Sequence, residues 1–121
     1  FSTTALHAQT ISTIAGGGNG DGNAPTNASL NTPAGIVFNT NGQLLISETG
    51  RIRIVDNGII TTFAGNGSLG SVEDNVPALS TTIHGPTGMA FDTSGNLYIA
   101  DKTNSKIRKI DTNGIITTVA G

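Results

Sequence analysis

Two histidines and eight carboxylates are the side chains of this sequence best suited to acid–base or metal chemistry, and their spacing speaks against both uses. His7 stands near the start of the chain. His84 has no cysteine anywhere in the sequence and no second histidine nearby to complete a ligand set. No Ser-His-Asp order can be assembled around it. Asp92, Asp101 and Asp111 each follow an apolar run and precede a turn, the place where a carboxylate accepts backbone N–H bonds. Asp101 and Asn104 bracket one loop, and Asp101 is placed to pair with Arg108 across the hairpin. Gly20-Asp21-Gly22 has the composition of a cation loop, but no alternating Asp and Asn with a closing Glu follows it. Gly16-Gly17-Gly18 lacks the Lys and the helix of a phosphate-cradling loop. The reading assigns no catalytic residue, no metal site and no cofactor.

The elements that hold these residues are constrained by composition. The chain has 121 residues, 17 of them Gly, with 12% charged and 4% aromatic residues, no Cys and no Trp. Its core must be aliphatic, and no disulfide supports it. A net charge of −2 with no basic run argues against nucleic acid or an anionic membrane as partner. No apolar run approaches the roughly 20 residues of a membrane span. Residues 1–9 resemble nothing later in the chain and read as a leader: the remnant of a bacterial secretory signal peptide, or a disordered arm. The signal reading implies a secreted or cell-surface protein. Asn27 and Asn66 head Asn-x-Ser sequons, which matter only in a pathway that glycosylates them.

The strongest signal is self-similarity. Ile11-Ser-Thr-Ile-Ala-Gly16 recurs as Ile60-Thr-Thr-Phe-Ala-Gly65 and as Ile116-Thr-Thr-Val-Ala-Gly121. Between these blocks, the stretch from Pro33 to Ser47 aligns with that from Pro86 to Ala100, and Arg51-Ile-Arg-Ile-Val-Asp56 aligns with Lys106-Ile-Arg-Lys-Ile-Asp111. Each unit holds four short apolar runs separated by Asn-Gly and Ser-Gly turn chemistry, which predicts antiparallel meanders. No window fits a helix. Leu97-Tyr-Ile-Ala100 is apolar throughout, as expected of a strand buried on both faces. A lone four-stranded sheet cannot cover both its faces, so such sheets must stack, as the blades of a β-propeller do.

The second unit resembles the NHL repeat, through Pro86, Gly88, Asp92, Gly95, Asn96, Tyr98, Asp101, Asn104, Arg108, Asp111 and Gly114. The first unit follows the pattern with Pro33 and Gly35. It departs from it with Asn39 for the first Asp, Glu48 for the Asp after the second strand, no equivalent of Asn104, and a tighter turn at Asp56-Asn57-Gly58. The resemblance implies an all-β chain of propeller blades used mainly for recognition of proteins, RNA or glycans, with metal-dependent lyases among a few relatives. RNA is disfavoured by the scarcity of basic residues.

The predicted organisation is an extra outer strand in residues 10–16, a linker and blade in residues 17–65, and a linker and blade in residues 66–121. Nine strands are one too many for two blades. The spare strand implies further blades, a ring with strand exchange, or an open filament. The expected partner is therefore another copy of the chain or further blades of a longer one, with a protein or glycan ligand on the linkers. The second linker is the longer, and Glu73, Asp74, Asn75 and His84 are its candidate ligand-binding residues. The resulting functional expectation is a non-enzymatic, exported binding or self-assembly scaffold; a glycan-binding oligomer and a lyase fragment with metal near His84 are the alternatives.

Overall fold

The computed structural model describes residues 10–18 and 21–121, so the leader assigned to residues 1–9 lies outside the described residues. Two antiparallel sheets hold nearly all the regular structure. In the first, β1 (Gly35–Phe38), β2 (Leu44–Glu48), β3 (Arg51–Asp56) and β4 (Ile59–Ala64) lie in sequence order. In the second, β6 (Pro86–Phe91), β7 (Leu97–Asp101), β8 (Lys106–Ile110) and β9 (Ile115–Ala120) repeat that order, and a two-residue strand β5 (Val76–Pro77) is added outside β9. A single 3-10 turn, Pro25–Asn27, interrupts the first linker.

Turn chemistry sets the register. Asn57 (φ 50°) and Gly58 (φ 74°) join β3 to β4, with Asp56 paired to Ile59. Two positive φ angles in a two-residue turn are what an Asn-Gly hairpin requires. Three further hairpins are pinned by side chains. The Asp92 carboxylate accepts the Ser94 and Asn96 N–H groups, the Asn96 amide and the Tyr98 hydroxyl. The Asn96 side chain contributes most to holding this carboxyl below its ordinary range. Asp111 accepts the Asn113 and Ile115 N–H groups, and Asn39 does the same for Asn41 and Gln43. Both sheets carry a bulge at the same place, between Ile52 and Arg53 and between Ile107 and Arg108.

Alternation along the strands divides the apolar residues between two faces. Val37, Leu45, Ile52, Ile54 and Phe63 of the first sheet join Met89, Phe91, Leu97, Ile99, Ile110 and Ile116 of the second, with Ala78 and Ile83 of the linker, in one cluster. This cluster is the interface between blades, and each fully buried aliphatic side chain in it contributes roughly 1.5–3 kcal/mol. Leu44, Ile46, Val55 and Ile60 turn the other way and pack with Ala15, Ala28 and Leu30. Strand β2 is therefore buried along its whole length. Its counterpart β7 alternates, with Tyr98 and Ala100 half-buried, because nothing among the described residues covers that side. The expectation that the Leu97 run is buried on both faces is thus met by β2 and corrected for β7.

Residues 11–15 carry the outer-strand sequence but form no strand, which corrects the expected extra strand at that position. An outer strand needs the ladder of a third strand, and among the described residues none lies beside this segment. Its Ile11 is fully exposed, whereas the equivalent Ile60 and Ile116 are fully buried. The ninth strand of the structure is instead β5. Proline and brevity hid it from a reading by apolar periodicity.

Candidate functional site

The chemistry-bearing side chains converge on two equivalent centres, one per blade. In the first, Arg53 of β3 is buried. Its Nη1 donates to Glu48 Oε1 at 3.1 Å and to the Ser29 carbonyl at 3.2 Å, and its Nη2 lies 2.5 Å from Asp21 Oδ1. The other oxygen of Asp21 accepts the Thr62 N–H (3.0 Å) and hydroxyl (2.5 Å). Glu48 Oε2 accepts the Asn31 N–H at 2.7 Å. In the second, Arg108 donates through Nη2 to the Glu73 carbonyl at 2.6 Å and to Asp74 Oδ1 at 3.2 Å, with Nη1 3.7 Å from Asp101 Oδ2. Asp74 accepts the Thr118 hydroxyl, and Asp101 accepts the His84 N–H and the Asn104 amide.

Each centre is a clamp. The acid at the end of the second strand and the acid in the preceding linker grip one buried guanidinium from opposite sides. The bulge beside the arginine sits where a bulge re-aims a side chain. The linker is thereby tied along the outer strand: the Gly22 and Asn75 N–H groups donate to the Ile60 and Ile116 carbonyls at 2.8 Å each. Around Asp21, burial acts to raise the carboxyl pKa, but the Thr62 hydroxyl and the Arg53 charge outweigh it and hold the group below its ordinary value.

These clamps settle where the sequence candidates stand. Asp101, Asn104 and Arg108 meet as expected. Glu73, Asp74 and Asn75 lie at the outer edge of β9: Glu73 lends its carbonyl to Arg108, Asp74 lends its carboxylate, and Asn75 takes a positive φ of 61°. His84 joins the same centre through its backbone N–H rather than its ring. Among the described residues, no three His, Cys, Asp or Glu side chains gather as a metal would need. The missed residue is Asp21, the counterpart of Asp74. Its signal was present, since each aspartate precedes its proline, Pro33 or Pro86, by the same number of residues.

Gly35 and Pro86 belong to the junction of the blades. A Cβ on Gly35 would collide with the Thr87 carbonyl, and the Ser47 hydroxyl donates to that carbonyl at 2.9 Å. Pro86 is buried there, while the equivalent Pro33 is exposed. Gly88, the equivalent of Gly35, faces open space. Beside it an open depression of about 340 Å³ is lined by Thr87, Ala100, Lys106, Ile107, Ala120 and Gly121, among others. On the far side of the first blade, a second depression of about 330 Å³ is lined by Ile14, Ala15, Leu30, Pro33, Ile36 and Ile46, among others. A third, polar depression of about 270 Å³ is formed by Ser29, Asn31, Glu48, Thr49, Arg51, Arg53 and Gly67.

Two stacked four-stranded meanders, each locked by an arginine clamp and joined by linkers running along the outer strands, define NHL-type propeller blades. Comparison with known proteins agrees: the family model of the Teneurin NHL domain matches residues 11–78 and 70–121. The chain belongs to that NHL-repeat family. It is 35% identical to mouse Teneurin-4 and 30% identical to human Teneurin-1, in each case over 109 residues and 84% of the chain. It is also 31% identical over 88 residues, 69% of the chain, to the Arabidopsis thaliana protein SUPPRESSOR OF QUENCHING 1, chloroplastic. The chain spans about 4% of the length of these teneurins and 8% of the Arabidopsis protein.

Proposed function

We propose that this chain is a non-enzymatic, exported NHL-type module that works as a binding and self-assembly scaffold, stacking its blades on further blades. The observation that carries this reading is the inequality of equivalent positions. Ile52 is fully buried between the blades while Ile107 is 39% exposed; Ile36 and Phe38 are more than 60% exposed, while their counterparts Met89 and Phe91 pack into the core. The two uncovered faces are the two halves of the interface already formed between the blades. Joining them head to tail buries apolar surface with the same geometry. The ionisable side chains around Arg53 and Arg108 are engaged in holding linkers, which supports a non-enzymatic role. Gly88→Ala tests the reading: it leaves the fold of a single chain unchanged, since no atom of the described residues lies within 4 Å of the new Cβ, and it weakens association measured by sedimentation equilibrium. Association as tight as the parent's would count against stacking.

A second reading, glycan binding, is favoured by the polar depression that joins Asn31, Thr49 and Arg51 to the linker at Gly67. It predicts retention on an array glycan that is lost in Arg51→Ala.

A further inference from the structure

The two clamps differ in what stands beside the acid that ends the second strand. In the second blade the loop between β7 and β8 carries Asn104, whose amide donates to Asp101 Oδ2 at 2.8 Å, and Thr103, whose N–H donates to the His84 carbonyl at 3.1 Å. In the first blade only Thr49 and Gly50 join β2 to β3, too short a loop to supply such an amide. The place beside Glu48 is the polar depression of about 270 Å³. Its rim is tied by backbone: the Gly67 N–H donates to the Gly50 carbonyl at 3.2 Å, and the Thr49 N–H to the Asn31 carbonyl at 2.9 Å. Gly67, at φ +79°, leaves clear the spot where the Arg51 guanidinium lies, since a Cβ there would stand 3.0 Å from Nε and 3.2 Å from Nη2.

Donors and acceptors in this wall do not balance. Glu48 is the carboxylate that lines it, and both its oxygens are engaged, Oε1 by Arg53 and Oε2 by the Asn31 N–H. The Arg51 guanidinium makes no hydrogen bond or ion pair among the described residues, and the buried Nε–H of Arg53 has no acceptor there. A wall with N–H groups to spare suits a ligand that brings acceptor oxygens and negative charge. A carboxylate fits: it has one charge and two oxygens spaced for a guanidinium fork, whereas a doubly charged phosphate would face Glu48 across the same small space. The Asn31 amide and the Thr49 hydroxyl, also on the wall, are partners for hydroxyl groups. The volume falls just below that of drug-sized pockets, which suits a single ring. We propose that this depression binds a sugar acid, its carboxylate on Arg51 and its hydroxyls on Asn31 and Thr49. The inference rests on the glycan reading above and names the class of sugar.

The experiment uses the full chain in equilibrium dialysis against glucuronate and against its methyl ester, which keeps the ring and its hydroxyls and lacks the charge. The acid binds about tenfold more tightly than the ester, or better. Arg51→Gln removes that difference and leaves the urea midpoint unchanged, because the guanidinium it replaces is unpaired among the described residues. Acid and ester held alike overturns the carboxylate assignment, and array retention of a neutral glycan then leaves the glycan reading standing; retention of no glycan at all overturns both. N-acetylglutamate or inorganic phosphate bound as tightly as glucuronate overturns the sugar acid in favour of an acidic peptide or a phosphate group.

Discussion

Arg53 and Arg108 are each buried against carboxylates that are themselves held by backbone N–H groups, so the pieces of a clamp cannot be removed singly without cost. Asp101→Ala strands the Arg108 charge in the core and lowers unfolding free energy by about 3–5 kcal/mol, read from urea denaturation. Asp21 gives a pH signature. Its folded carboxyl is held below the ordinary value of 3.8, so its stabilisation is present above that value and fades as pH falls through the folded one. Asp21→Asn therefore loses stability near neutral pH and shows a smaller further loss below about pH 4 than the parent does. Convergence of the parent and Asp21→Asn denaturation curves at neutral pH would contradict the clamp. The pairing of Asp101 with Asn104 and Arg108 was legible in the sequence because all three fall within one hairpin. The clamp's other half was not, since Asp21 and Asp74 reach their arginines from more than 30 residues away.

At the scale of the element, turns and junctions decide which glycines are replaceable. Gly65 combines φ +87° with a Cβ direction blocked by the Gly50 carbonyl, whereas Gly58 has φ +74° and open space. Gly58→Ala costs about 1 kcal/mol through backbone strain alone. Gly65→Ala adds a collision and costs about 2–3 kcal/mol; the order of the two urea midpoints checks the assignment. The eight long strands were readable because turn residues separate the apolar runs, with an Asn-Gly or Ser-Gly pair at the first and last hairpin of each blade. Strand β5 escaped because it is two residues long, contains Pro77 and depends on the edge offered by β9. Residues 11–15 show the converse. They have the full strand sequence and lack the ladder, so a strand signal in sequence is a statement about a pair, not about a segment.

For the whole molecule, the two blades are alike in chain path and unlike in what covers them. Gly35 is required by the approach of Thr87, and Gly88 keeps the same clearance with none of the described residues in front of it. Repeat proteins of this kind gain stability from each neighbour interface added, so Ile107→Lys leaves the two-blade core intact and reduces association at least tenfold. The stacked architecture was readable from the repeat; which faces remain open was not, because equivalent residues such as Ile52 and Ile107 differ only in their neighbours. The most direct test is the mass of the native particle across a concentration series, measured by sedimentation equilibrium on the full chain. Blade stacking predicts a mass that rises with concentration from 12.2 kDa through integral multiples; a folded 12.2 kDa particle at every concentration would contradict it.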